Sequence, residues 1–146
     1  MGKLTQRLSD ATRSGVYRST GTAEIEDAVR GTRLDLAHVA LGGVEDKDGL
    51  LGQLAQALGF PEWFGGNWDA LEDCLCDLAW RPGDGHVVVL DGGDALGVDD
   101  MGVLVDVLSS CAAYWAERGR PFFAVFVDPQ HALALPELFR AKGAAA

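Results

Sequence analysis

The chain has 146 residues, 48% of them hydrophobic, which suffices for one domain with a buried core and leaves too little chain for two. Its charged fraction of 23% is close to the average of folded soluble proteins, so the composition excludes general disorder. The formal net charge is −10, and between residues 62 and 106 the acids outnumber the bases eleven to one, which argues against direct binding to nucleic acid or to an anionic membrane.

Apolar periodicity divides the chain into alternating strands and helices. In chain order the predicted elements are a strand at 15–19, a helix at 22–31, a strand at 33–41, a helix from 46 or 48 to 58, a helix at 67–79, a strand at 86–90, a helix at 99–119, a strand at 121–128 and a short last helix within 135–146. The last two strands are continuous apolar runs joined by a long helix, which is typical of a right-handed crossover between buried parallel strands. The sequence therefore predicts an α/β fold in two or three layers, with a small, mainly parallel sheet of three or four strands and helices packed against it.

Polar residues at the helix starts predict the caps. We expect Asp46 or Asp48 to cap one helix, Asn67 the next, and Asp99 or Asp100 the long one. The long helix is expected to bury a single stripe, which comprises Leu104, Leu108, Cys111 and Trp115.

The helix that follows Asn67 carries a row of acids. With about 100° per residue, Asp69, Asp73 and Asp77 fall on one side of it. The opposite side is predicted to be apolar and comprises Trp68, Leu71, Cys74, Leu75, Leu78 and Ala79. Like charges four residues apart repel by a few tenths of a kcal/mol, and only Arg81, four after Asp77, is spaced to relieve them. The row therefore costs some stability, and the simplest interpretation, a solvated polar face, competes with a functional one.

A loop of glycines and aromatic residues precedes this helix. Trp63 and Phe64 stand next to Gly65, so large apolar side chains and charges lie close together, as they do in protein interfaces. The alternative is that the two aromatic side chains only staple neighbouring helices together, and it suits Phe64 better than Trp63.

Catalytic and metal chemistry have weaker support. Asp69 and Asp73 have the spacing of an acid–base pair, but no Ser, Thr, His or Lys accompanies them. Cys74 and Cys76 point away from each other on a helix, and no His has metal-ligand spacing to them. The histidines are isolated in the sequence and are assigned structural roles: His38, His86 and His131. No cofactor and no metal are predicted.

The cysteines and the N-terminal residues indicate the compartment. Three cysteines, without the spacing of a secreted disulfide framework, predict free thiols in a reducing environment. The start MGKLTQRLSD has no apolar signal segment, and no run reaches the roughly 18 apolar residues of a membrane span. We expect a cytoplasmic protein, with a monomer as the default.

The segment LGFPEWFGGNWDALEDCLCDL resembles the signature of the barstar family, intracellular protein inhibitors of ribonucleases. That signature has an aromatic pair, Gly, any residue, Asn, an apolar residue and then Asp-Ala-Leu-x-Asp. The matching positions are Trp63, Phe64, Gly65, Asn67, Trp68, Asp69, Ala70, Leu71 and Asp73. The resemblance implies a single domain over 1–146, with a family-like core at 34–128, an N-terminal extension at 1–33 whose role it leaves open, and a C-terminal segment at 129–146 with a loose tail.

The resemblance also implies a mode of action. Carboxylates one helical turn apart would lie where a ribonuclease holds phosphate, with Asp73 the dominant contact, Asp69 next and Trp63 their aromatic neighbour. Asn67 would position the helix, and Asp77 would mainly raise the association rate. The barstar–barnase pair is itself a standard example of electrostatic steering and of an aspartate hot spot, so both expectations come from the resemblance. The implied partner is a cationic ribonuclease or nuclease toxin, and the implied contacts also include Phe64, Gly65 and Glu72.

The sequence departs from the best-known family member at the same site. Glu72 stands where that member has a large aromatic residue, and Trp63 and Phe64 replace tyrosines. The target nuclease can therefore differ. Two rival interpretations stay open: an acidic interaction module for a basic partner that is not a nuclease, and a small enzyme using Asp69 and Asp73, which would need a pocket beside them.

Overall fold

A computed structural model describes residues 2–130 and 132–139 of the chain. The elements are α1 (Lys3–Leu8), β1 (Gly15–Ser19), α2 (Ala23–Val29), β2 (Leu34–Leu41), α3 (Lys47–Leu58), α4 (Trp68–Leu75), β3 (Gly85–Gly92), α5 (Val98–Glu117) and β4 (Phe122–Val127). The four predicted strands are confirmed, as are the helices α2, α3 and α5, all within two residues of the predicted bounds. The helix α1 was not predicted.

The strands form one parallel sheet in the order β1-β4-β3-β2. From β2 through β3 to β4 the chain steps across the sheet in one direction, whereas the step from β1 to β2 crosses the whole sheet in the other. Because crossovers are right-handed, opposite directions require opposite faces. Accordingly α3, α4 and α5 pack on one face, and α1 and α2 pack on the other. The predicted α/β fold is confirmed in its three-layer form.

The continuous apolar runs of β3 and β4 supply both faces of the sheet, because successive side chains of a strand point to opposite sides. Val88 and Phe126 face α3–α5, whereas Val87 and Phe123 face α1 and α2. These two strands are central in the sheet, which explains why their sequences show no polar alternation.

The caps of α3 and α4 agree with the sequence prediction, and the cap of α5 differs from it. Asp46 Oδ1 accepts a hydrogen bond from the Gly49 amide at 2.8 Å, as predicted for the start of α3. The helix α5 instead begins after Gly97, without a side-chain cap, so the prediction of Asp99 or Asp100 as its cap is wrong. Both acids lie inside the first turn, where the helix dipole still favours them.

The resemblance left the role of the residues before β2 open. In the structure they form one edge strand of the sheet and the helices that cover its second face. Strand β1 pairs with β4 in register from Gly15–Phe123 to Ser19–Val127. On the other edge of β1, the Arg18 amide donates to the Pro136 carbonyl at 2.9 Å and the Leu138 amide donates to the Arg18 carbonyl at 2.9 Å.

This extended pairing contradicts part of the predicted last helix. Residues 135–139 contain no helix, because their backbone bonds to β1 hold them extended and bury Leu138 in the core. The remainder of that prediction, residues 140–146, lies outside the described residues, as does His131. In the described part of the chain, no helix has both the length and the apolar character needed to cross a membrane.

Candidate partner-binding site

The start of α4 is fixed by the asparagine that the sequence indicated. Asn67 Oδ1 accepts a hydrogen bond from the Ala70 amide at 2.8 Å, and the Asn67 carbonyl accepts one from the Leu71 amide at 3.0 Å. Gly66 precedes it with φ of 70°, a left-handed conformation that favours glycine. Asp69 follows in the first turn, where the helix dipole favours a carboxylate. The loop and the cap together set the direction in which α4 leaves.

The inner side of α4 is buried against the protein core. Leu71, Cys74 and Leu75 are fully buried, and the half-buried Trp68 packs on the same core. The helix lies against α5, and the Trp115 Nε1 of that helix donates to the Leu75 carbonyl at 2.8 Å. Carbonyls at a helix end lack intrahelical partners, so this bond satisfies one of them inside the protein. The outer side of α4 is thus presented on a rigid support.

The end of α4 corrects the sequence prediction. The helix stops at Leu75 with Cys76 as its cap, four residues before the predicted end. Leu78 has φ of 50° and is buried, so the chain turns inward there at some cost in backbone strain. Asp77 therefore does not extend the helical row, because it lies in the turn, where its carboxylate accepts from the Ala79 amide at 3.2 Å. Ala79, predicted on the apolar side, is exposed.

The exposed carboxylates of α4 define what we call the acidic face, formed by Asp69, Glu72 and Asp73. All three side chains are exposed, and Asp69 and Asp73 lie one helical turn apart. Among the residues that the structure describes, no Lys or Arg nitrogen lies within 4.0 Å of them. The acidic face therefore carries concentrated negative charge without a counterion from its own surface.

Aromatic side chains border the start of α4. Trp63 is 59% exposed and meets Trp80 edge to face, with ring centroids 6.3 Å apart. Phe64 is half-buried and packs on Phe60 at 4.9 Å, which is the arrangement expected of a staple between α3 and α4. Gly65, between Phe64 and the cap, is exposed. Trp63 is the aromatic side chain of this loop that is most available to a partner.

Trp80 is a member of this surface that sequence reasoning missed. It is 36% exposed, and its Nε1 donates to the Leu58 carbonyl at 2.9 Å, which fixes the indole between the end of α3 and Trp63. The available signal was a tryptophan outside any apolar stripe, next to the RPGDG turn. Its proximity to Trp63 depends on the inward turn at Leu78, which the sequence pattern did not predict.

Cavities lie elsewhere in the molecule. A pocket of about 280 Å³ opens at the carboxyl ends of β3 and β4 beside Asp91 and Asp128, and two shallow grooves border α3 and α1. Neither Asp69 nor Asp73 lines any of these three. Within residues 2–130 and 132–139, no group of three or more His, Cys, Asp or Glu side chains has the geometry to hold a metal ion.

A second charged cluster lies inside the fold and corrects the prediction that His86 is isolated. Asp35 on β2 accepts from Arg81 Nε at 2.6 Å and Arg81 Nη2 at 3.0 Å, and its Oδ2 lies 3.0 Å from His86 Nδ1. Burial by itself would raise the pKa of the Asp35 carboxyl, but hydrogen bonds from Arg81 and His86 outweigh it and lower that pKa. Burial lowers the pKa of His86 in spite of Asp35. Arg81 is committed here, so it does not relieve Asp77.

Comparisons with known proteins place the chain in one family. A family model described as Barstar (barnase inhibitor) matches residues 34–127, which include β2, α4 and β4. Among solved structures, one titled "Structure of the Aeropyrum Pernix ORC2 protein (ADPNP-ADP complexes)" is similar at 17% identity and a TM-score of 0.48. That alignment covers 79% of this chain and 34% of the other. No curated protein matches the sequence.

Proposed function

The chain belongs to the barstar family of ribonuclease inhibitors, and on that premise we propose that it inhibits a cationic ribonuclease or nuclease toxin by covering its active site. The inhibitor acts as a binding protein and uses no cofactor. Its contact surface is the acidic face together with the aromatic pair Trp63 and Trp80.

The observation that carries this proposal is the acidic face itself. Asp69 and Asp73 are exposed one turn apart on a helix whose other side is locked into the core, and no described base neutralises them. Ribonuclease active sites gather cationic side chains around phosphate, and carboxylates at helical spacing can occupy the positions of phosphates. Substrate and inhibitor then compete for the same cations.

The neighbouring residues have distinct proposed roles. Asp73, in the second half of α4, is the dominant contact, and Asp69 is the second. Glu72 between them adds charge where the best-known family member carries an aromatic side chain. Trp63 supplies apolar contact area that is already ordered against Trp80. The remaining contributions are from Gly65 and Phe64, which shape the loop, Asn67, which directs the helix, and Asp77, which adds to the attracting field.

Rigidity of the support favours tight binding. Ordering side chains and loops at an interface costs affinity, and a surface that is already ordered avoids that cost. Here α4 is capped by Asn67 at one end and held by Trp115 at the other. The backbone of the helix is therefore ordered before the partner binds.

The test begins with capture of ribonucleases on the immobilised protein over a series of salt concentrations, from host lysate and from culture medium. The captured nuclease is then assayed with and without the soluble protein. Inhibition at equimolar inhibitor, weakening as salt rises, is expected because exposed charges are screened. A complex that forms without loss of nuclease activity would instead identify the alternative, an acidic interaction module for a basic partner.

Asp73→Ala tests the site directly. We expect it to weaken binding by at least about 2 kcal/mol, roughly a 30-fold rise in Kd, which is the usual threshold for a hot spot. The matched control is Asp106→Ala, which removes the same charge from an exposed position on α5. If both variants bind and inhibit as the unmodified protein does, α4 is not the contact surface.

A further inference from the structure

Two cysteine thiols meet behind the acidic face. Cys76 Sγ, from the residue that ends α4, lies 3.5 Å from Cys111 Sγ in the middle of α5. Both thiols are free, Cys111 is fully buried, and Cys76 is partly exposed. The third cysteine, Cys74, is also buried but belongs to the inner side of α4.

We propose that Cys76 and Cys111 are a reversible modification site, at which peroxide oxidises the two thiols to a disulfide that fastens the end of α4 to α5. The proposal goes beyond nuclease inhibition, because both the bond and its effect on the fold exist without any partner.

The geometry allows the bond with little movement. A disulfide has a sulfur–sulfur distance of about 2.05 Å, so the two sulfur atoms must approach by roughly 1.5 Å. Cys76 lies where the regular helix has ended and the chain begins its turn, so a small shift there leaves α4 intact. The Cys111 thiol also lies 3.9 Å from the Glu72 carbonyl, which keeps it at the end of α4. The two residues are 35 apart in the chain, so the bond joins separate helices.

The chemistry assigns different roles to the two sulfur atoms. The partly exposed Cys76, as its thiolate, attacks one oxygen of hydrogen peroxide; the O–O bond breaks, the Cys76 sulfur becomes a sulfenic acid, and water leaves after proton transfer. The Cys111 sulfur then attacks the sulfenic sulfur, its proton goes to the departing hydroxyl, and a second water leaves. In total two thiols lose two hydrogen atoms and one peroxide is reduced to two waters. A small dithiol reductant reverses the oxidation by exchange.

The surroundings set the speed of the reaction. Burial raises the pKa of the Cys111 thiol far above its usual range. Burial also raises the pKa of Cys76, with Glu72 and Asp73 acting in the same direction. Little thiolate is present at neutral pH, so oxidation is slow there and accelerates as the pH rises. The disulfide should therefore form only under sustained exposure to the oxidant.

The bond should tighten the support of the acidic face. Closing a loop between residues 76 and 111 restricts the unfolded chain, and for a loop of this length we expect a rise in Tm of roughly 5–10 °C. The amides of α4 should also exchange hydrogen more slowly, since the last turn of the helix can no longer separate from α5.

The experiment uses the full reduced chain, hydrogen peroxide as the oxidant and mass spectrometry of peptides under non-reducing conditions. We expect loss of two hydrogens from the intact mass, a linked peptide pair containing Cys76 and Cys111, the rise in Tm, and reversal of all three by dithiothreitol. Cys74→Ala is the control; oxidation should give it the same link and a similar rise in Tm relative to its own reduced form. Cys76→Ser should lose the link and the rise in Tm, and since its side chain is partly exposed it should still fold.

Three results would overturn the proposal. Oxidation of Cys76 that proceeds to sulfinic acid without a link would show that Cys111 does not reach it. A link that includes Cys74 under native conditions would show a different pairing. A native Cys76–Cys111 link that leaves both Tm and α4 exchange unchanged would show that the bond does not fasten the helix. None of these readouts uses a nuclease, so they are independent of the proposed inhibition.

Discussion

The carboxylate of Asp35 and the carboxylates of the acidic face have opposite surroundings. Asp35 receives two hydrogen bonds from Arg81 and one contact from His86, and its side chain is almost buried. Asp69 and Asp73 are exposed, and no Lys or Arg among the described residues forms an ion pair with them. The comparison shows that Arg81 pairs with the internal acid, whereas the surface acids have no Lys or Arg partner among the described residues. A paired carboxylate holds elements together, whereas an unpaired one is available to a partner.

The strongest way to test this contrast is to remove the paired acid. Asp35→Ala leaves Arg81 and His86 partly buried without their partner, and breaking a buried pair is costly, so we expect a loss of about 3 kcal/mol in the free energy of unfolding. Urea denaturation measures it. The control is Asp84→Ala, whose ion pair with Arg33 is exposed and should matter little. Equal, small losses in both variants would mean that the Asp35 cluster does not stabilise the fold.

Acid should weaken the fold through the same cluster. The pKa of His86 is lowered by burial, so the unfolded chain binds its proton first and stability falls as the pH drops below about 6.5. The pKa of Asp35 is lowered by Arg81 and His86, so the stability it contributes is present above its unfolded value of 3.8 and is lost as the pH falls through its folded value. Both signs agree. Thermal denaturation from pH 7 to 3 measures the fall, and His86→Gln should flatten the curve in its upper part; an unchanged curve would contradict the role of His86.

On the acidic face, removal of an acid should have the opposite effect on stability. Asp73→Ala removes repulsion from Asp69 and introduces a better helix former, so we expect the free energy of unfolding to stay equal or to rise by roughly 0.3 kcal/mol. Differential scanning calorimetry on the isolated protein checks it. A drop of several degrees in Tm would mean that Asp73 has an internal role and that its effect on binding is indirect.

The smallest effect is expected at Asp77. Its place in the turn after α4 makes it part of the surrounding field, so Asp77→Asn should slow association with the partner by about twofold at low salt and leave dissociation unchanged. Stopped-flow kinetics at two salt concentrations separates the two rates. A change confined to dissociation would make Asp77 a direct contact.

Much of the fold was predictable because it depends on local pattern. The strands β3 and β4 are buried on both faces, so their sequences are continuous apolar runs. Asn67 and Asp46 cap their helices through hydrogen bonds to residues only three positions further along the chain. The acidic face followed from helical spacing within a few residues. The N-terminal helix α1, of only six residues, is too short to show a clear period.

The features that were missed depend on contacts between distant residues. The end of α4 is set by Trp115, 40 residues away, and by the inward turn at Leu78. Asp35 meets Arg81 and His86 across 46 and 51 residues. No local period encodes such separations, so the internal cluster, the thiol pair and the position of Trp80 required the structure.

The position of β1 in the sheet has a consequence for the order in which the protein acquires its shape. Among the strands of the described residues β1 is synthesised first, yet its strand neighbour is β4, which is synthesised last. Residues 136–138 lie on the other edge of β1. During synthesis α4 leaves the ribosome before α5, so α4 at first lacks the helix against which it packs. Sheet closure depends on pairing between the two ends of the described chain, which favours slow folding. The acidic face therefore gains its full support only after β4 and residues 136–138 have been synthesised.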